Sequence, residues 1–519
     1  MEYSLLGLRK MPSEYDYCMN LVKQVERKYP VQQWIIDGIQ IWPILRVNHS
    51  YKEKYAIDDG VKLEKTRRSI WGIVYKKAGS LIRSLKRYCY LRNMESADSA
   101  HNDFADGHRD IVFLSYSIYR KAQVNGMYYF TEIFPFLNEF KSYSYLILES
   151  AIRDVYKYPR YGKSMLVDKG MFACGIVSTI KKNLLFLADR QLQVSCPQMP
   201  EVYEYLSERN VKLLSLDKLV NIVHHINQFK QYYVKILKKT SPKLVIIEWY
   251  YGTEGFSLLL AAKQLGIPVA DIQHGIQGSN HWAYGDWPSN PSGYQLLPDY
   301  FFVWSHTEKN VIQRWNKLCG NKHTPIVTGY QWMSMWRGNN LPFDFKSQIE
   351  QIRQCEGKKC NINILFSMDY DFLNDGIIHL IQNSPKDWKW WIRMHPVMRH
   401  RWSEYSTQFK QIFAKDNVIW DEASFCALPA LLSFVDLHIT SGSTIARICQ
   451  EWGIPTIAEN PRVQEGYDLN QCLITIIPFE ELTIESIKGV LQQQSSAKRN
   501  EEKEQDELKF IKDEILDKM

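Results

Sequence analysis

The stretch Phe434-Val435-Asp436-Leu437-His438-Ile439-Thr440-Ser441-Gly442-Ser443-Thr444-Ile445-Ala446-Arg447-Ile448-Cys449-Gln450-Glu451-Trp452-Gly453-Ile454-Pro455 is the part of the chain whose reading decides the fold. Its first six residues are mostly apolar and read as a strand. Ile445, Ile448 and Trp452 then recur at helical spacing. Between them lies a Ser/Gly/Thr cluster, Ser441, Gly442, Ser443 and Thr444. A helix leaves its first backbone N–H groups unpaired, and neighbouring hydroxyls add donors, so such a turn suits a phosphate. The same residues also make an ordinary helix cap. Glu451 follows Thr444 by seven residues, two turns along one face, where a carboxylate can take the hydroxyls of a ribose.

Upstream, the apolar run Trp388 to Ile392 leads into Arg393-Met394-His395-Pro396. Ligands of open α/β sheets collect at the carboxyl ends of strands. One arginine, one imidazole, one hydroxyl-lined helix start and one carboxylate are thus expected to converge, a set that fits a nucleoside mono- or diphosphate.

Before this stretch the chain alternates strand and helix twice over. Ile111 to Tyr116, Tyr145 to Glu149, Val211 to Leu214, Lys243 to Glu248, Val269 to Ile272 and Tyr300 to Trp304 read as strands, with helices such as Asp217 to Lys239 and Gly255 to Gly266 between them. Periodicity is lost between Tyr330 and Ser347. The second series is Ile362 to Ser367, Trp388 to Ile392, Val418 to Trp420 and Phe434 to Ile439. Repeated β–α units imply mostly parallel sheets. The expected fold class is α/β, two Rossmann-like domains facing a cleft, with a mainly helical N-terminal extension. The division is 1–104 for that extension, 105–335 for the acceptor-side domain, 345–480 for the nucleotide-sugar domain and 481–519 for a C-terminal surface helix or tail.

Composition agrees with a globular protein. The 519 residues are 45% hydrophobic and 13% aromatic, enough for more than one core. A net charge of +7 is modest for this length, and no nucleic-acid partner is expected. No apolar run reaches 18 residues, and the first residues resemble neither a signal nor a transit peptide. A cytoplasmic location is therefore expected. The ten cysteines have no C-x-x-C pair and no histidine at zinc spacing, so reduced thiols are the default reading. No D-x-D sits in the strand–loop context of metal-dependent sugar transferases; Asp369-Tyr370-Asp371 follows a strand of the wrong domain. No essential metal is expected.

Residues 65–92 hold nine basic side chains and no acidic one, over an apolar face of Ile70, Trp71, Val74, Ala78, Ile82, Leu85 and Cys89. Such a helix commonly rests on the anionic inner face of a membrane; a solvated basic helix has the same pattern.

In its S-G-S-T-x6-E-x-G-I-P and R-x-H-P elements and its two Rossmann-like halves, the chain resembles the GT-B class of glycosyltransferases over residues 105 to 480. Within it the chain is similar to bacterial enzymes of capsule, lipopolysaccharide O-antigen and teichoic-acid synthesis, whose relatives include sialyl-, Kdo- and glycerophosphotransferases. E-x-G-I-P also occurs in UDP-sugar 2-epimerases. The resemblance implies that His395, Ser443 and Thr444 bind the donor phosphate; Arg393, Ser441, Gly442 and Glu451, converging with them, are expected to complete the donor site. It implies no cofactor beyond a nucleotide-activated donor, CMP- or CDP-linked, with a UDP-hexose as runner-up, and a glycan or lipid-linked acceptor.

The acceptor hydroxyl must lose a proton as it attacks, so a base is needed. Sialyltransferase relatives place it in a D/E-D/E-G element, matched in part by Thr253-Glu254-Gly255, where the first acid is missing. Glycerophosphotransferase relatives use the histidine of H-G, matched by His274-Gly275. Glu254 and His274 are both candidates, with Asp286 and Glu248 in reserve. His281, Trp282 and Trp287, in a loop also holding Tyr284 and Tyr294, are expected to bind the acceptor or else to pack against one another. An epimerase and a non-catalytic assembly scaffold are the competing classes.

Overall fold

The computed structural model describes residues 14–48, 50–51, 107–151, 156–174, 193–337, 341–356, 360–368, 373–395, 398, 401–464, 472–492 and 507–517. The basic segment 65–92 and Asp369 to Asp371 lie outside them.

Two parallel sheets organise the chain. The first has seven strands in the order Thr324–Val327, Tyr300–Val303, Val269–Ile272, Leu244–Ile247, Ile111–Tyr116, Tyr145–Ser150, Met165–Leu166, and every neighbouring pair is parallel. The second has six, Val418–Ile419, Trp388–Arg393, Ile362–Ser367, Leu437–Thr440, Thr456–Ala458, Ile474–Ile476, again all parallel. Continuous apolar strands are what a sheet buried on both faces needs. In the first sheet Val112, Leu114, Val245 and Ile247 enter one core, while Ile111, Phe113, Leu244 and Ile246 enter another. That second core also takes Leu365, Trp391 and Ile419 from one face of the second sheet. Ile364, Phe366, Trp390 and Ile392 fill a third on its other face.

Three expectations from the sequence change. Val211–Lys212 pairs antiparallel with Ser50–Tyr51 in a separate ribbon and is no part of the main sheet. The aperiodic break contains two helices, Gln331–Arg337 and Phe343–Glu356. Trp332 and Trp336 lie one turn apart on the buried face of the first. The C-terminal stretch is not a surface tail. Ile511, Ile515 and Leu516 are buried in the core beside the first sheet, Lys243 Nζ donates to the Leu516 carbonyl at 2.7 Å, and Lys309 pairs with Glu507 at 2.6 Å.

The described N-terminal residues also join the first half. The helix Glu14–Lys28 buries Cys18, Leu21, Val22 and Val25 in the core that contains Val112 and Leu114. Arg46, fully buried, pairs with Glu26 at 2.8 Å and donates to the carbonyls of Trp282 at 2.9 Å and Gly285 at 2.8 Å.

One element with no counterpart among those expectations positions the site. Between the first two strands of the first half the chain makes an antiparallel hairpin, Arg120–Val124 with Met127–Phe130. Asn125 and Gly126 turn it with φ of 50° and 71°, the two positive values of a type I′ turn. Its base is pinned by Arg120, which donates to Glu149 at 3.1 and 2.8 Å inside the protein. Among the described residues, no helix is long and apolar enough to cross a membrane.

Candidate functional site

A cleft of about 550 Å³ opens between the carboxyl ends of the two sheets. From the second half it is lined by Arg393, His395, Ala427, Leu428, Gly442, Ser443, Thr444, Ile445 and Ile448. From the first half come Tyr119, Lys121, Thr131, Trp249, His274, Trp304 and Tyr330. The placement follows from the strands: Arg393 ends one, His274 follows Val269–Ile272, and the Ser/Thr turn follows Leu437–Thr440.

The turn carries both chemistries that its composition allows. The Ser443 amide donates to Thr440 Oγ1 at 3.1 Å, and the Ile445 amide donates to Ser443 Oγ at 3.3 Å. Ser443 therefore braces the turn just ahead of the helix Ile445–Trp452 and still borders the cleft. Thr444 and Gly442 border it too. A Cβ on Gly442 would stand 3.2 Å from Asn460, so the side chain is absent where the turn meets the next strand's end.

Three donor-side expectations are modified. Ser441 is turned away, donating to Glu459 Oε2 at 3.1 Å, and is not among the residues lining the cleft. Arg393 does border the cleft, but it is buried and its Nη1 donates to the carbonyls of Ala423 at 2.5 Å and Cys426 at 3.0 Å. Its guanidinium holds the segment after Trp420 in place. Glu451 lies in a small side cavity shared with Trp304, Ser305, Glu308, Tyr330 and Arg447. That cavity adjoins the cleft through Trp304, Tyr330, Met333 and Ile448. Trp420, sandwiched between Trp402 at 4.6 Å and Phe413 at 4.1 Å, is core.

Of the two base candidates, the cleft takes His274 and leaves Glu254 out. Glu254 stands in the first turn of the helix Thr253–Gln264, on the side of Tyr116 and Tyr233, whose hydroxyls it helps to keep protonated. His274 has its Nε2 3.4 Å from the Tyr251 hydroxyl and its ring 5.3 Å from that of Tyr119. Burial, then Lys121, then His281 push its pKa from the ordinary 6.5 down to about 3, so the imidazole is neutral at pH 7. The reserve Asp286 is tied to Lys23 at 2.9 Å on the N-terminal helix. Glu248 lies buried under the cleft with Ser115 donating to it, and burial with the nearby Glu132 raises its pKa well above the carboxylate range.

The expected acceptor loop packs against itself and the core. Trp287 is 2% exposed, its Nε1 donates to the Ala283 carbonyl at 3.1 Å, and Arg46 lies 4.1 Å over its ring. Trp282 packs on the same core. His281 accepts from the Ala283 amide at 3.1 Å. None of the three is among the residues lining the cleft, which corrects the acceptor assignment.

The residues that take their place were not singled out from the sequence. Lys121 reaches the cleft from the hairpin, paired with Glu132 at 2.7 Å and 5.0 Å over the Tyr119 ring. Trp304 and Tyr330 stack at 4.1 Å and 13°. Asn125-Gly126 between apolar residues was the available signal for the hairpin; nothing local signals the stacked pair.

No protein-family model and no curated protein matches the chain. Among solved structures it is similar to UDP-GlcNAc 2-epimerase from Neisseria meningitidis bound to UDP-GlcNAc, at 15% identity over 74% of this chain and 91% of that one, TM-score 0.43. It is also similar to the wall teichoic acid polymerase TagF soaked with CDPG, at 10% identity over 83% and 92%, TM-score 0.38. Anabaena HepE in complex with UDP and glucose aligns at 12% identity over 74% and 89%, TM-score 0.38.

Proposed function

We propose that this chain is a glycosyltransferase of GT-B architecture that moves a sugar or polyol phosphate from a nucleotide-activated donor to a glycan or lipid-linked acceptor. The observation that carries the proposal is the opposition, across one cleft, of a phosphate-type helix start with His395 on one wall and a neutral, half-buried histidine on the other. In the proposed reaction the acceptor hydroxyl oxygen attacks the anomeric carbon, or the phosphorus of a polyol phosphate. Its proton passes to His274, and the bond from that centre to the nucleotide oxygen breaks. The charge left on the nucleotide is met by His395 and by the hydroxyls of Ser443 and Thr444 at the positive end of the helix. No metal is required in this scheme.

The donor we favour is CMP- or CDP-linked. With the Arg393 Nη1 already donating to two carbonyls, fewer phosphate partners remain, which suits the single phosphate of a CMP-linked donor best; a CDP-linked donor would bring the same two phosphates as a UDP-linked one. A thermal-shift series with CMP, CDP, UDP, GDP and dTDP tests this. A ligand at about a hundred times its Kd adds about 2.7 kcal/mol. Cytidine nucleotides are expected to stabilise most, and a Ser443→Ala/Thr444→Val variant to bind them at least about tenfold more weakly, since a hydrogen bond to a charged group contributes about 1.5–3 kcal/mol. Turnover of CMP-Kdo, CMP-sialate, CDP-glycerol and UDP-N-acetylglucosamine is then scored by nucleotide release. Release that needs an acceptor glycan supports transfer. Interconversion of a UDP-sugar without an acceptor would replace the proposal with an epimerase, and stabilisation by no nucleotide would leave a scaffold.

A further inference from the structure

We infer that the first-half wall of the cleft, Tyr119, Trp249, Trp304 and Tyr330, is a stacking platform for the pyranose rings of an uncharged acceptor glycan. The inference rests on the transferase reading and deepens it by naming the acceptor class. The two walls differ in kind. The second-half wall offers an imidazole, hydroxyls and a helix start, whereas the first-half wall is built of half-buried aromatic rings.

A pyranose has a face of C–H bonds with positive edges, and an aromatic ring has a negative face, so the two stack. Trp304 and Tyr330 are already stacked on each other at 4.1 Å and 13°. Such a pair is rigid, and both rings are half-buried. Both rings line the cleft and its side cavity, so they form the corner at which the two spaces join. Tyr119 supplies a second ring beside His274, at 5.3 Å. A sugar hydroxyl on a ring resting there lies against the imidazole that would take its proton.

Charge excludes the other acceptor class. Lys121 is the only charged side chain among the described residues lining this wall, and it is paired with Glu132 at 2.7 Å. An acceptor with a phosphate on every unit needs a cation or a helix start for each, and this wall has neither to spare. A neutral oligosaccharide needs only ring faces and scattered hydrogen-bonding groups, which Thr131, Lys121 and the Tyr119 hydroxyl can supply.

Calorimetric titration tests the inference with maltotriose and triacetylchitotriose as neutral probes, a glycerol-phosphate oligomer as the anionic probe, and CMP and CDP as donor-side ligands. The protein is the full chain as wild type, Trp304→Ala and Trp304→Phe. At least one neutral probe is expected to bind the wild type, to lose about tenfold in Trp304→Ala and to recover most of it in Trp304→Phe, because a ring face rather than a polar atom is what is removed. Nucleotide affinity should not change in either variant, which also reports that Trp304→Ala is folded. Loss of nucleotide binding in Trp304→Ala would assign the stacked pair to the donor base and overturn the inference. So would binding of the glycerol-phosphate oligomer in preference to both neutral probes, or binding of no neutral probe. Should neutral probes bind while no nucleotide does, the platform stands and the transferase reading fails.

Discussion

The two walls of the cleft are made in opposite ways. The second-half wall takes its polar groups from the ends of two strands: Arg393 and His395 at the end of one, Gly442 to Thr444 between another and its helix. The first-half wall gathers Tyr119 from ahead of a hairpin, Lys121 from within it, Trp249 and His274 from two strand ends, and Trp304 and Tyr330 from two more. A phosphate is recognised by a local backbone shape, so one turn suffices. A ring surface has to be assembled from several connections.

The sharpest way to break the comparison is to remove the imidazole from the assembled wall. His274→Ala is expected to lower turnover by about 10²–10⁴-fold, the range for loss of a general base, and to leave nucleotide binding unchanged. Glu254→Gln is expected to keep wild-type turnover, since Glu254 is not among the residues lining the cleft. Steady-state rates with a fixed donor and calorimetric nucleotide affinities check both. If Glu254→Gln is the dead variant, the proton goes elsewhere and the wall assignment falls.

This contrast also explains what the sequence made legible. Strand runs such as Leu244–Ile247 and the turn Ser443-Thr444 could be read because burial on both faces and helix initiation are local demands on residue type. The Trp304–Tyr330 stack could not, because the two residues lie in different β–α units and meet only once adjacent strands are aligned, Tyr300–Val303 beside Thr324–Val327. Trp287 misled for the converse reason. Aromatic residues in a Pro/Gly-rich loop suggest a sugar lid, but here Arg46, from far upstream, covers the Trp287 ring. Ser441 misled within the turn itself: composition fixes the cluster, while the partner Glu459 decides which hydroxyl turns away.

A second prediction concerns what holds the walls together. Arg447, on the helix Ile445–Trp452, pairs with Glu308, on the helix His306–Asn316, and both side chains are 3% exposed. Breaking a buried pair by removing one partner strands a charge and costs about 3–5 kcal/mol. Arg447→Met is therefore expected to lose about that much in urea unfolding, whereas Glu308→Leu/Arg447→Met, which strands no charge, recovers most of it. A single variant within about 1 kcal/mol of wild type would mean that the pair carries no net weight, as exposed pairs usually do.

The smallest expected effect is a shift in pH dependence, and its sign follows from the neighbours of His274. Burial, Lys121 and His281 together hold the imidazole neutral, with its pKa near 3 instead of 6.5. A base must be unprotonated, so the acid limb of kcat/KM, which reports the free enzyme, is expected well below pH 6. For stability the sign runs the same way. Between 6.5 and about 3 the unfolded chain binds a proton that the folded one refuses, so the contribution of His274 is present above 6.5 and is lost as pH falls through that window. Lys121→Gln removes a nearby positive charge and frees the negative charge of Glu132, and both changes favour a protonated imidazole. The acid limb of that variant should move up toward 6.5, and the acid loss of stability should shrink. Burial, the larger cause, is untouched, so the limb should stop short of 6.5. A limb that stays in place would show that Lys121 and His274 do not share a field, and a limb that moves down would remove His274 as the group that titrates.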